Sequence, residues 1–572
     1  MHIKYKLFSK KTYAHILCID LHINNISYDS LVLKLPVWIP GSYLVREFAK
    51  NIDYIIDINT QQRIKKTNKN TWIVDTKNID SLHLQYHVYG FDWSVRTNHI
   101  NEEHAFVNAA ASLLYIENHE NIPIDIEIVP DKNWNSISSN LEILNNNIWQ
   151  RRANNIHDLY DSVFEIGNQQ IVHFNVKNTT YEIAMYGNNN CNTEQLIEDL
   201  KKIIASQIEI FGHHPCEKYL FIIQHRLLGF GGLEHLNASV NQIPSYHYQE
   251  REKYRQAIGL LSHEHFHLWN VKRIKPKELL PYQYEQEQYT ELLWFFEGIT
   301  SYYDDLTCYR AGVFSKEEYL EIVEKLINEV VNHPGNDVQT LAEASFDAWI
   351  KYYRQTENSI NSEVSYYRKG AVVALLIDLY LIYYSDAKYC LDNIMQILFA
   401  ESQKPNYSGL TKERIIQVLQ QFVDFDWNDF YENYIENTRP LPVEDIFNSM
   451  EFSCINNQNS SYYLGLYLQE KGNSFVIKQL DKNYGAYKAG LQVNDIIVEV
   501  DTQNFENNLS SILQEKNTGD IVIFKIERDG SIHNIAVTLT LDLRKNYSIS
   551  KPENISQNKF EQKWLMQLNV IS

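Results

Sequence analysis

The chain has 572 residues, 44% of them hydrophobic and 22% charged. It is too long for one core and too apolar for a disordered chain, so about three to four domains are expected. A net charge of −20 with neutral histidines argues against nonspecific nucleic-acid binding, which needs Lys and Arg to meet phosphates.

In chain order, the first residues lack the apolar stretch of a secretory signal. Residues 31–40 (LVLKLPVWIP), 81–91, 121–130 and 169–178 (QQIVHFNVKN) alternate apolar and polar positions between Pro, Gly and Asn boundaries, so residues 1–175 are expected to form a β-sandwich-like domain. Near Thr193 the period changes. Residues 193–212 follow a helical pattern with acidic residues early and lysines later. The stretch 315–333 opens on Ser315 with Glu318 three residues on, a capping box. At 411–425 Thr411 is an N-cap, but Arg414 stands where the reciprocal carboxylate would be. The run AVVALLIDLYLIYY at 371–384 falls short of the roughly 18 apolar residues of a membrane span and contains Asp378, so it reads as a buried helix. Residues 176–445 form the largest unit, mostly helical, making the whole a multidomain α+β chain. Strand patterns return over 455–545 as a small separate β domain, and the Asn-rich tail 546–572 packs loosely or caps another domain. The six cysteines are scattered without a CxxC pair, which points to reduced thiols and a cytoplasmic location. The short basic runs 65–69 and 271–277 read as surface loops. No membrane or nucleic-acid partner is expected.

Residues 260–276, LLSHEHFHLWNVKRIKP, carry the chemistry. On a helix, His263 and His267 lie one turn apart on one face, and Glu264 beside them can reach a water on the same metal. This is HExxH, a zinc-hydrolase pattern. His265 points away from that face and reads as packing. Two imidazoles need a third protein ligand. Asn270 and Arg273 stand where a metzincin would place Gly and His, which excludes that completion. Glu285, Glu287, Glu291 and Glu297 are within sequence reach. Glu297 is favoured, because it is the lone carboxylate in an apolar, aromatic helix (LLWFFEG), where a buried charge must be paired or bind a metal. Asp304, two turns further on, is placed to orient an imidazole or to sit solvated on the helix surface.

HEHFHLWNVKRIKP followed by LLWFFEGITSYYDDL resembles the glycyl aminopeptidase family of zinc metallopeptidases, which carry a C-terminal PDZ domain. LPVWIPGSYLVREFAKNI at 35–52 and YHVYGFDWSVRTNHI at 86–100 are similar to that family's β-domain signatures. The resemblance implies a thermolysin-like catalytic domain at 176–445 and a PDZ domain at 455–545, where LGLYL (464–468) looks like the carboxylate-binding loop. It implies that Glu234, in FGGLEH with Gly231 and Gly232, holds a substrate's free α-amine. It also implies that Tyr367 rather than Tyr366 donates to the oxyanion. The expectation is a zinc-dependent aminopeptidase with Glu264 and Tyr367 catalytic, acting on peptides with a free N-terminus and small first residues such as Gly or Ala. A protein or peptide C-terminus is the expected PDZ partner. The alternatives are a zinc endopeptidase of the same fold or a PDZ-based scaffold.

Overall fold

The computed structural model describes residues 1–457, 462–472, 474–506, 509–514, 516–550 and 558–566. The N-terminal region is a seven-stranded sheet in the order Glu142–Leu144, Asn147–Ala153, Ile124–Val129, His2–Phe8, Ile16–Asn24, Ser81–Tyr89, Ile52–Asp57, with two four-stranded sheets beside it. One of those is built on Ser30–Lys34 and Thr71–Asp75, the other on Ala105–Asn108 and Val163–Gly167. The inward residues of these strands share one core, in which Leu21, Leu33 and Phe106 are fully buried.

The central region opens with a five-stranded sheet: Gln170–Val176, Thr179–Tyr186, Lys218–Arg226, Ala238–Pro244 and, antiparallel at the edge, Gly231–His235. The strand Gln170–Val176 therefore belongs to this sheet and not to the N-terminal β domain expected over 1–175. Alternation identifies a strand but not the sheet it joins. Lys218–Arg226 shows why the two regions form one body. Tyr219, Phe221 and Ile223 face the helical core, while Leu220 and Ile222 enter the N-terminal core. Burial on both faces explains its unbroken apolar run. Helices Thr193–Phe211, Arg251–Phe266, Ile299–Arg310 and Arg368–Tyr384 pack on the other side. Arg368–Tyr384 is almost wholly buried. Its Asp378 accepts from the Tyr302 hydroxyl (2.5 Å) and the Leu391 amide (2.7 Å), which explains how the apolar run tolerates a carboxylate. No helix among the described residues is long and apolar enough to cross a membrane.

The PDZ-like sheet runs Leu466–Lys471, Ser474–Leu480, Ile496–Val500, Ile521–Arg528, Ser531–Thr538 around its own core. The chain then returns. Tyr547–Ser550 pairs with Ser453–Asn456, and helix Lys559–Trp564 buries Trp564 in the core of the central region. The part of the tail that is described thus caps the central region; 551–557 and 567–572 lie outside the described residues.

Candidate active site

Helix Arg251–Phe266 carries the HExxH stretch and ends at His267, so both histidines project from its last turn. Their Nε2 atoms lie 3.1 Å apart. Each Nδ1 has an acceptor: Asp304 Oδ2 for His263 at 3.0 Å, and the Asn270 carbonyl for His267 at 2.8 Å. These acceptors draw the ring protons to Nδ1 and aim both Nε2 lone pairs at one point.

The chain after His267 is a structural device. Val271 is held at φ 135, an unusual backbone angle for a β-branched residue. Asn270 donates to the carbonyls of Phe295 (3.2 Å) and Phe296 (3.1 Å) and to the Thr300 hydroxyl (3.2 Å). It thereby ties the motif helix to the turn that carries Glu297. Lys272 is buried and reaches Asp161 of the N-terminal region at 2.8 Å. Burial opposes the Lys272 charge, but Asp161 outweighs it and raises its pKa; Lys272 in turn holds Asp161 below the usual carboxylate range. Asp161 also accepts from the Leu236 amide beside the edge strand. The segment 271–277, expected as a surface loop, is instead half interior, with Val271, Lys272 and Ile274 buried. Its basic residues disguised a buried lysine and the ion pair it makes.

Glu297 lies in a turn of π-helix, Trp294–Gly298, and such turns recur at functional sites. Its Oε2 is 3.2 Å from His267 Nε2 and 3.6 Å from His263 Nε2. Gly298 sets this position. A Cβ there would come within 2.5 Å of the Gly370 backbone, so only glycine lets the Tyr367-bearing helix approach so closely. Of the other carboxylates within sequence reach, Glu285 is committed to Lys34 and the Tyr115 hydroxyl, and Glu291 is exposed. His265 is buried against Gln207 and Tyr181, away from the cluster.

The donor set fits zinc: two imidazole nitrogens and a carboxylate oxygen converge, and the Nδ1 of each of the two imidazoles is occupied. Electrostatics agree. Burial pushes Glu297 up, yet the two imidazoles hold it down at about 2. Burial would lower His263, but the Asp304 and Glu297 carboxylates raise it well above its ordinary value. The cluster demands positive charge, and a divalent cation meets that demand by displacing protons. Among the described residues a second triad, Glu234, Glu264 and His267, overlaps this one, and a third, Asp20, His22 and His83, sits apart in the N-terminal sheet.

Around the cluster lies a cleft of about 940 Å³. Glu264 is buried, its Oε2 lacks a partner, and burial pushes it up to about 7 against the pull of His263 and His267. Gly232 on the edge strand lies against that carboxylate, where any Cβ would overlap it. Glu234 is likewise buried with an unpartnered Oε1, raised by burial more than His267 and Lys272 lower it. Gly231 and Gly232 line the cleft on the same strand. Tyr367 lines it too, its ring 6.3 Å from that of His263, whereas Tyr366 is fully buried against Tyr352. Two lining residues come from the N-terminal region. Gly41 (φ 94) presses on Glu234, where a Cβ would fall 2.5 Å from Oε1, and Arg96 donates to the Gly232 carbonyl at 3.2 Å. Sequence reasoning noticed their segments, IPGSY and DWSVRT, but gave neither residue a role.

The family model described as M61 glycyl aminopeptidase matches residues 256–373, the peptidase M61 N-terminal domain matches 4–168, and the PDZ domain matches 462–539. The chain is similar to a crystal structure described as an aminopeptidase N family protein from Idiomarina loihiensis, at 28% identity and a TM-score of 0.91, over 98% of this chain and 100% of that one. An M1 zinc metallopeptidase from Deinococcus radiodurans matches at 10% identity and a TM-score of 0.47, over 77% of this chain and 94% of that one. No curated protein matches.

Proposed function

The chain belongs to the M61 glycyl aminopeptidase family and is a zinc-dependent aminopeptidase; from that premise we propose which residues do the work. His263, His267 and Glu297 hold the zinc, with Asp304 orienting His263. When bound, zinc acts as a Lewis acid that acidifies water and polarises the scissile carbonyl. Glu264 takes the proton of the attacking water and passes it to the leaving amine. The Tyr367 hydroxyl donates to the oxyanion as the carbonyl becomes tetrahedral. Glu234 pairs with the free α-ammonium, fixing the cut one residue from the chain end. Gly231 and Gly232 let extended substrate lie close along the edge strand. The Gly41 backbone against Glu234 leaves little room beside the first residue, in keeping with small residues such as Gly or Ala.

The observation that carries this reading is the meeting of two kinds of group in one cleft. Three converging donor atoms stand beside two buried carboxylates, Glu264 and Glu234, each with an unpartnered oxygen. A library of peptides with free or acetylated N-termini, analysed by mass spectrometry with and without zinc, tests it. Loss of a single first residue from free peptides, zinc-dependent and abolished in Glu264→Gln with zinc retained, is the expected result. Equal cleavage of acetylated peptides at internal bonds would assign an endopeptidase instead. The PDZ-like domain presents Leu466–Lys471 as a sheet-edge strand, suited to capturing a protein or peptide C-terminus by β-addition. The six free thiols accord with a reducing, cytoplasmic location.

A further inference from the structure

The cleft is rich in carboxylates: Glu234, Glu264, Glu297, Asp304 and Asp305 all line it. Its cations are mostly spoken for. Arg255 pairs with Glu321, Arg368 pairs with Glu329, and Lys325 is exposed to solvent. Arg96 differs. It is half-buried, its one side-chain partner is the neutral Gly232 carbonyl, and its Nε is buried without an acceptor. Near it stands Arg46, its guanidinium bonded among the described residues only to the Ser42 hydroxyl at 2.8 Å, its Nε likewise buried and without a partner among them. Among the described residues neither guanidinium makes an ion pair. A half-buried guanidinium without a carboxylate paired to it is costly unless a ligand supplies one. Burial and then the charge of Arg96 lower Arg46 to about 10, outweighing the opposite pull of Tyr353 and of the Asp92 carboxylate, which makes no ion pair with it.

The position of Arg96 says which part of a ligand it meets. Gly231–His235 is the sheet edge, so a peptide lies along it in extended form. With the α-amine at Glu234 and the chain running antiparallel, the carbonyl end of the second residue comes level with Gly232, two residues back along the strand and about 7 Å away at the usual rise. An extended dipeptide spans about the same distance from amine to carboxylate. We propose that Arg96, backed by Arg46, forms a carboxylate-binding subsite on the leaving-group side of the cleft, selecting peptides that carry an anion on their second residue. The anion is the α-carboxylate of a dipeptide or an acidic side chain at that position. In a cleft lined by acids, such a substrate would be repelled without this pair. The proposal rests on the aminopeptidase reading for the direction of the bound chain.

Calorimetry on the zinc-loaded Glu264→Gln protein reads binding without turnover. The probes are Ala-Ala, Ala-Ala amide, Ala-Glu amide and Ala-Gln amide. The free acid should bind about 10- to 100-fold tighter than its amide, or the Glu amide tighter than the Gln amide by the same factor, the range of one charge-assisted pair. The first result names the α-carboxylate as the anion, the second the side chain. Adding Arg96→Gln should collapse the ratio toward one, and Arg96→Lys should restore part of it. Ratios near one before any change at Arg96, or equal weakening of all four probes by Arg96→Gln, would overturn the subsite. Failure of the wild-type holoenzyme to release alanine from any probe would instead strike the aminopeptidase reading, leaving the binding ratios to judge Arg96.

Discussion

The N-terminal and PDZ-like regions meet the peptidase in opposite ways. The N-terminal region shares its core: Leu220, Ile222, Leu233 and Val240 of the peptidase sheet are buried among N-terminal residues, and Gly41, Arg96 and Asp161 reach the site or its supports. The PDZ-like region keeps a core of its own, and among the described residues none from 458–545 enters the peptidase core. It meets the peptidase through polar groups, such as Asn361 with the Leu480 carbonyl (2.8 Å) and the Lys482 amide (2.9 Å), beside a cavity of about 680 Å³. The two strands flanking it pair with each other, and the Asn457 amide meets the Asn546 carbonyl at 2.8 Å. The PDZ-like region is therefore an insertion at the tip of a ribbon, whereas the N-terminal region is a wall of the active site. Order along the chain is a poor guide to which parts depend on each other.

The largest expected effect follows from the tail, which lies beyond the insertion yet belongs to the peptidase. Trp564 is fully buried among Tyr319, Phe447 and Phe452, and the Tyr309 hydroxyl donates to the Leu565 carbonyl at 3.0 Å. Trp564→Ala alone should cost about 3–5 kcal/mol, the range for emptying a large aromatic site. A chain ending at residue 545 should lose more and fail to give a cooperative thermal transition. If that truncated chain melts like the full one, the tail is not part of the peptidase core.

Next comes the Lys272–Asp161 pair across the N-terminal boundary. Lys272→Ala leaves the partly buried Asp161 carboxylate without its cation, still accepting from the Leu236 amide, and should cost about 1.5–3 kcal/mol in urea unfolding. The same pair gives a pH signature. Asp161 has a folded pKa below its unfolded one, so its stabilisation is complete above the ordinary aspartate range near 4 and is lost as pH falls through the lower folded value. Lys272, raised in the fold, contributes fully throughout that acid range. Lys272→Met should therefore flatten the acid limb of the stability curve between roughly pH 5 and 2, and an unchanged limb would show that the pair does not hold the boundary.

How much of this was legible depended on the range of the interaction. The HExxH pair is local: helical geometry alone puts His263 and His267 together, and one lone acid in WFFEG is a conspicuous sign. The caps at Ser315 and Thr411 are local too, and both form. Glu234 and Tyr367 became readable only through family resemblance, because nothing in a short glycine motif or a tyrosine pair says what lies opposite. Gly41, Arg96 and Asp161 were illegible for the same reason: they act across a domain boundary, and sequence periodicity carries no information about the face they meet. The strand Gln170–Val176 was recognised as a strand but given to the wrong sheet, since edge pairing is decided by a partner chosen in three dimensions.

The smallest expected effect is the sharpest test of the contrast. Replacing residues 458–545 by a short Gly-Ser linker removes the PDZ-like core whole and leaves the pairing of Ser453–Asn456 with Tyr547–Ser550 to close the ribbon. The linker spans neighbouring strand ends, so its closure entropy is low. Asn361 would exchange its hydrogen bonds to the PDZ-like backbone for hydrogen bonds to water, a net of about 1 kcal/mol for each. The excised protein should keep its zinc, its thermal midpoint within a few degrees, and its turnover of dipeptides. Substrates long enough to reach the PDZ-like edge strand should alone lose affinity. If dipeptide turnover falls with the excision, the ribbon transmits more than attachment and the region is part of the catalytic body after all.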